Sequence, residues 1–150
     1  GLVGSEMCIR DSLYEASQAG VEIDLIVRGI CCLIPGQTYS RNIRVTRIVD
    51  TFLEHARIWY FGNGGNPKLF LGSPDWMRRN LYRRIEAITP ILDPDAKQEL
   101  IDMLSIQLSD KRKACFVDEN LRNCWKSAHP QKEKVRSQYT FYEYLKEKTE

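Results

Sequence analysis

His55 and Arg57 stand two residues apart in an aromatic, β-branched run at 53–61, and Gly72-Ser73-Pro74-Asp75 follows a glycine-rich turn. Side chains two apart on an extended strand share a face, so an imidazole and a permanent cation would project together. An imidazole can attack or protonate a phosphoryl group, and a guanidinium can hold its oxygens in a fork. The pair therefore suits phosphate chemistry, although a histidine with no motif around it is more often structural than catalytic.

The positioning elements follow from periodicity and turn residues. The stretch 13–19 reads as the last turns of a helix stopped by Gly20, and 21–28 reads as a strand ended by Gly29. Residues 31–42 read as a loop leaving the C-terminal end of that strand, which puts Arg28 at the edge of a ligand site. A strand is expected over 43–49, a helical turn over 50–54 and a strong strand over 56–61 opened by His55. Asn63-Gly64-Gly65-Asn66 tolerates positive φ and joins that strand to 68–71 as a hairpin, bringing His55 and Gly72 to one end. A short helix over 76–81 and a strand over 84–92 come next. Pro94 opens an amphipathic helix with Leu100, Met103, Leu104 and Leu108 on its apolar stripe. An edge strand over 113–118, a polar loop over 123–132 and a terminal helix over 133–148, with Val135, Tyr139, Tyr142 and Leu145 inward, complete an α/β or mixed α+β pattern.

The chain has 150 residues, 43% hydrophobic and 28% charged, which fits one ordinary domain. No apolar run approaches a membrane span, and a cytoplasmic protein is expected. Five cysteines (Cys8, Cys31, Cys32, Cys115, Cys124) form an odd set with no CxxC pair, suggesting neither a disulfide framework nor a zinc site. Net charge is only +2, but Arg78, Arg79, Arg83 and Arg84 stand close together with no acid among them, as do Arg41, Arg44 and Arg47. Each cluster is either a track for a polyanion or a solvated face. Residues 1–12, GLVGSEMCIRDS, resemble translated adapter sequence and are set aside as a foreign segment, with 13–150 as the domain proper. Were they genuine, Ser12 would be an N-cap with Glu15 three residues on.

Taken in order, VRGICCLIPG (27–36), NIRVTRIVDTFLEHAR (42–57), FGNGGNPKLFLGSPDWMRRNLYRRIEAITPILD (61–93) and the basic tail resemble the C-terminal catalytic domain of bacterial polyphosphate kinase, type 1 family. That family belongs to the phospholipase D superfamily, whose half-site runs HxK, GSxN and then a carboxylate. Here the positions are His55-x-Arg57, Gly72-Ser73-x-Asp75 and Glu86. Arginine in place of lysine and aspartate in place of asparagine agree with the kinase family and weaken a phosphodiesterase reading. The resemblance implies a phospholipase D-like mixed β-sheet flanked by helices, here incomplete at its N-terminus. It also implies reversible transfer of the ATP γ-phosphate to inorganic polyphosphate, through a phosphohistidine and with Mg2+. The phosphohistidine and the Mg2+ ligands would lie in missing upstream domains of the same polypeptide, so no metal ligand is expected here and the fragment alone should be inactive. ATP/ADP and polyphosphate are the implied partners, and the full-length protein is expected to be a homo-oligomer.

Within that resemblance His55 and Glu86 are the catalytic candidates, and Arg28, His55, Arg57 and Ser73 the ATP and phosphate contacts. Glu86 is expected to accept a hydrogen bond from the distal His55 nitrogen and fix its tautomer; its plainer role is a surface carboxylate paired with Arg84. Arg28 can stabilise charge as it spreads over phosphate oxygens, unless it is simply a strand-end cation facing water. Ser73 reads as a turn hydroxyl rather than a nucleophile, for want of a neighbouring base. Arg79, Arg83 and Arg84 form the candidate polyphosphate path. His129 reads as inert surface, and Trp59, Tyr60, Phe61 and Phe70 as sheet core. Two alternatives stay open: a phospholipase D-like phosphodiesterase or nuclease half, and a non-catalytic polyanion-binding module.

Overall fold

The computed structural model describes residues 6–76, 80 and 83–149, the first three by backbone alone. Three helices lie among them: α1 (Glu6–Gln18), α2 (Pro94–Ser109) and α3 (Ser137–Thr149). The strands are β1 (Ile23–Val27), β2 (Ile43–Ile48), β3 (Arg57–Phe61), β4 (Lys68–Gly72), β5 (Ile88–Pro90), β6 (Ala114–Val117) and β7 (Asn123–Trp125). They form two sheets where one was expected, β1-β2-β6-β7 and β3-β4-β5. The chain correspondingly divides into two compact units, Arg10–Phe52 with Met103–Glu150, and Leu53–Asp102 with Gly1–Ile9.

The four-stranded sheet is mixed. β1 runs parallel to β2, which pairs antiparallel with β6, and β6 with β7. Ile43 and Val45 of β2 join Leu33 and Val117 in its core, with Leu13, Tyr14, Ile23, Leu25, Val27 and Cys31 packed around them. Arg44, a member of the second arginine cluster, is held across the β1–β2 pair by Asp24 at 2.7 and 2.9 Å and by Glu22 at 2.8 Å. Its charge is matched inside the sheet, and Asp24 is held below the usual carboxylate range by that guanidinium.

Several expectations change here. β6 is an inner strand, because residues 123–125, read as loop, pair with it as β7. The turn between them is set by Asp118, whose Oδ1 accepts from the amides of Asn120 and Arg122 at 2.9 and 2.8 Å. α1 begins at Glu6, so Ser12 is a helix-interior residue and not a cap. Tyr139, Tyr142 and Leu108 face outward. The inward side of the first α3 turn is polar, because Ser137 and Gln138 are engaged in hydrogen bonds that bind the helix start to other segments.

Residues 50–54 form no helical turn; 51 and 52 make a bend. Their geometry is fixed from outside. Arg136 donates to both oxygens of Asp50, at 2.8 and 2.6 Å, and to Thr51 Oγ1 at 2.9 Å. The Gln138 side-chain amide accepts from the Phe52 backbone N–H at 2.7 Å and donates to its carbonyl at 2.8 Å. The Asp50 side chain is 1% exposed and its carboxyl is held below the usual range, chiefly by the Arg136 bond. A depressed folded pKa contributes stability that is complete above the unfolded value and lost as pH falls through the folded one. Arg136→Ala should therefore lower the urea unfolding midpoint at pH 7, and the difference from the parent should shrink as pH falls below about 4, where the Asp50 carboxyl protonates.

Candidate active site

In the second unit β3, β4 and β5 form an antiparallel sheet with Arg57 opposite Gly72 and Gly72 opposite Ile88. The β3–β4 connection is a short 3-10 turn in which Asn63, Gly64 and Gly65 all take positive φ, the conformations that asparagine and glycine tolerate best. This register brings the His55-x-Arg57 and Gly72-Ser73-x-Asp75 segments to one end of the hairpin. The strand starts at Arg57, however, so His55 lies just before it in an irregular, exposed segment instead of on the strand face. β3 starts late because Arg57, whose guanidinium folds back to bond the carbonyl of His55, is the first residue paired with β4.

Gly72 allows the close approach. A Cβ there would stand 2.8 Å from the carbonyl oxygen of Ala87, 2.9 Å from the Trp59 ring and 3.0 Å from Ile88. The same Ala87 carbonyl accepts the Ser73 backbone N–H at 3.1 Å. Ser73 Oγ in turn donates to the Glu86 carboxylate, so the residue at the end of β4 is held by main chain and side chain together. Glu86 is 16% exposed and also lies 4.0 Å from the Arg84 guanidinium. Glu86 thus bonds Ser73, and the expected His55–Glu86 bond is not formed in this structure. The His55 imidazole makes no hydrogen bond to another described residue.

Arg57 is engaged on the protein itself. Nε donates to Asp75 Oδ1 at 2.8 Å, Nη2 donates to the same oxygen, and Nη1 donates to the carbonyl of His55 at 2.5 Å. The Asp75 carbonyl accepts from Nδ2 of buried Asn80 at 3.3 Å. Asp75 is the partner that sequence reasoning noted without giving it a role; an acid eighteen residues beyond an arginine, across a hairpin whose register pairs Arg57 with Gly72, was the available signal. Trp59, two residues beyond Arg57 and on its strand face, stacks on Trp76 with ring centroids 6.4 Å apart.

Arg83 and Arg84 are exposed, and Arg84 reaches Asn80 Oδ1 at 3.4 Å. Arg79 lies outside the described residues, as does most of the short helix expected over 76–81. β5 covers only 88–90 of the strand expected over 84–92. Arg28 belongs to the other unit, in an exposed bend that follows β1.

No group of three or more His, Cys, Asp or Glu side chains among the described residues could hold a metal ion. The site's own carboxylates are engaged, Asp75 by Arg57 and Glu86 by Ser73. Engaged in this way, the two carboxylates do not form a shared magnesium site among the described residues. An exposed imidazole beside hydrogen-bonded turns can meet an incoming phosphoryl group as a proton donor or as a hydrogen-bond donor. Among the described residues no helix is long and apolar enough to cross a membrane.

Residues 3–138 match the family described as polyphosphate kinase C-terminal domain 2. The polyphosphate kinase of Synechocystis is 59% identical over 104 residues, covering 69% of this chain and 14% of that protein. That of Escherichia coli K12 is 47% identical over 137 residues, covering 91% of this chain and 20% of that protein. A crystal structure of polyphosphate kinase from Porphyromonas gingivalis superposes with a TM-score of 0.89 at 56% identity, over 94% of this chain and 22% of that one. The chain thus spans about a fifth or less of the length of these relatives. With a family match across nearly its whole length and a mixed α/β fold shared with a solved polyphosphate kinase, the chain belongs to the polyphosphate kinase C-terminal domain 2 family.

Proposed function

We propose that this chain is the C-terminal part of an ATP:polyphosphate phosphotransferase and contributes one half of a two-half active site. The observation that carries the reading is the hairpin register that gathers His55, Arg57, Ser73 and Asp75 at one end of β3 and β4, with Glu86 on the Ser73 hydroxyl. In this reading the bond from the γ-phosphorus of ATP to its bridging oxygen breaks and ADP leaves. The phosphoryl group passes by way of a histidine in an upstream domain to the terminal oxygen of a polyphosphate chain. His55 supplies a proton or a hydrogen bond to the group in flight, and Arg28 holds phosphate oxygens as charge spreads over them. Glu86, through the Ser73 hydroxyl, fixes the turn that closes the site. Exposed Arg83 and Arg84, with Arg79, offer a path for the polyanion. Mg2+ would neutralise charge on the phosphates from upstream ligands, and the whole enzyme would act in the cytoplasm as a homo-oligomer.

The test replaces the matching fifth of the Escherichia coli kinase with this chain and follows labelled phosphate from ATP into polyphosphate, and from polyphosphate to ADP. The chimera should catalyse both directions, while the 150-residue chain alone should catalyse neither. A folded chimera that hydrolysed a phosphodiester and exchanged no phosphate with ADP would replace this reading with the phosphodiesterase one. A chimera that only bound polyphosphate would leave a binding module.

A further inference from the structure

We propose that Asp75 is a positioning residue for His55, acting through Arg57; the inference rests on the phosphoryl-transfer reading above. A guanidinium carries five N–H donors in one rigid plane, so each bond it makes constrains the direction of the others. Arg57 commits Nε and Nη2 to Asp75 Oδ1 and Nη1 to the carbonyl of His55. The edge formed by Nε and Nη2, one of the two that can fork onto an anion, is thereby occupied by a carboxylate. Arg57 becomes a bracket between the two sequence motifs in place of a direct hold on phosphate.

Both ends of the bracket are anchored. β3–β4 pairing places Arg57 opposite Gly72, and Asn80 holds the Asp75 carbonyl at 3.3 Å. The Arg57 side chain is 20% exposed and that of Asp75 45%, so the pair is only partly screened by solvent. His55 is different. It lies outside any strand, and its ring makes no hydrogen bond to another described residue. Among the described residues, the bond from Arg57 to its carbonyl is the hydrogen bond that ties its backbone to the hairpin. Removing the Asp75 charge frees the guanidinium to rotate, and the His55 carbonyl loses a donor whose direction was fixed.

Asp75→Asn and Asp75→Glu in the Escherichia coli chimera test this, with kcat and KM measured separately for ATP and for polyphosphate. Asp75→Asn should lower kcat on the order of 10- to 100-fold with both KM values unchanged, as displacement of a reacting group does. Asp75→Glu, which keeps the carboxylate, should recover part of the loss, and thermal melts should show both variants folded. An unchanged kcat with a lower KM for either substrate would overturn the proposal, because it would mean that Asp75 only competes with phosphate for Arg57. A second readout is independent of turnover. In the chain labelled with 15N-arginine, the Arg57 Nε–H resonance should keep its position on titration with tripolyphosphate, and a shift comparable to that of the exposed arginines would also overturn it. A parent chimera that makes no polyphosphate would sink the functional reading itself, and the resonance would still decide whether Arg57 stays on Asp75.

Discussion

His55→Ala in the chimera is expected to lower polyphosphate synthesis by about 100- to 10,000-fold, the range that removal of a positioned proton-transfer group commands. Because the imidazole is read as meeting the phosphoryl group in flight, kcat and kcat/KM should fall together while KM for ATP stays near the parent value. The surroundings of His55 make this a clean substitution. Its side chain is exposed and makes no hydrogen bond to a described residue, so alanine there leaves no buried group unpaired. His129, the other histidine of the chain, is exposed too and provides the matched control: His129→Ala should leave turnover unchanged. A His55→Ala chimera within threefold of the parent would remove the histidine from the reaction and move the binding-module reading ahead.

Asp110→Ala should be the most destabilising single change in the four-stranded unit, at about 3–5 kcal/mol by urea unfolding. Asp110 is 0% exposed. Its Oδ1 accepts from the amides of Arg112 at 2.8 Å, Lys113 at 2.7 Å and Ala114 at 3.4 Å, and its Oδ2 accepts from the Ser137 amide at 2.8 Å. One carboxylate thus folds the segment after α2 into the start of β6 and caps the first turn of α3, whose leading N–H groups have no partner within the helix. Alanine leaves these donors buried and unpaired. Asp110→Asn keeps one acceptor oxygen and should cost about half as much; equal midpoints for the parent and Asp110→Ala would show that the donors find other partners.

What the sequence made legible divides by whether the cause of each element is local or distant along the chain. Strands β1 to β4 follow from alternation, glycine punctuation and aromatic content, all local signals, and they lie where those signals put them. The opening of α2 at Pro94 was readable for the same reason, with Asp93 Oδ1 accepting the Ala96 amide at 2.8 Å. β7 was not readable, because Asn123, Cys124 and Trp125 carry no alternation; their strand exists through pairing with β6. The faces of α3 were misread because Ser137 and Gln138 are buried by partners 27 and 86 residues away, a non-local cause that apolar periodicity cannot register. In the site, residue types and spacing indicated which side chains gather at the hairpin end. Which partner each takes depends on side-chain reach: Glu86 meets Ser73, and Arg57 meets Asp75.

The bend ahead of His55 also has a history in time. Phe52 receives both of its backbone partners from the amide of a residue 86 positions later, and Asp50 receives the Arg136 guanidinium from the same distance. A ribosome releases residue 52 well before residue 138, so during synthesis this bend exists without the groups that shape it. It takes its final form only when the last helix has emerged, and the chain leading into His55 is consequently among the latest parts of its unit to settle. A nascent polypeptide therefore carries the histidine long before the segment entering it is held.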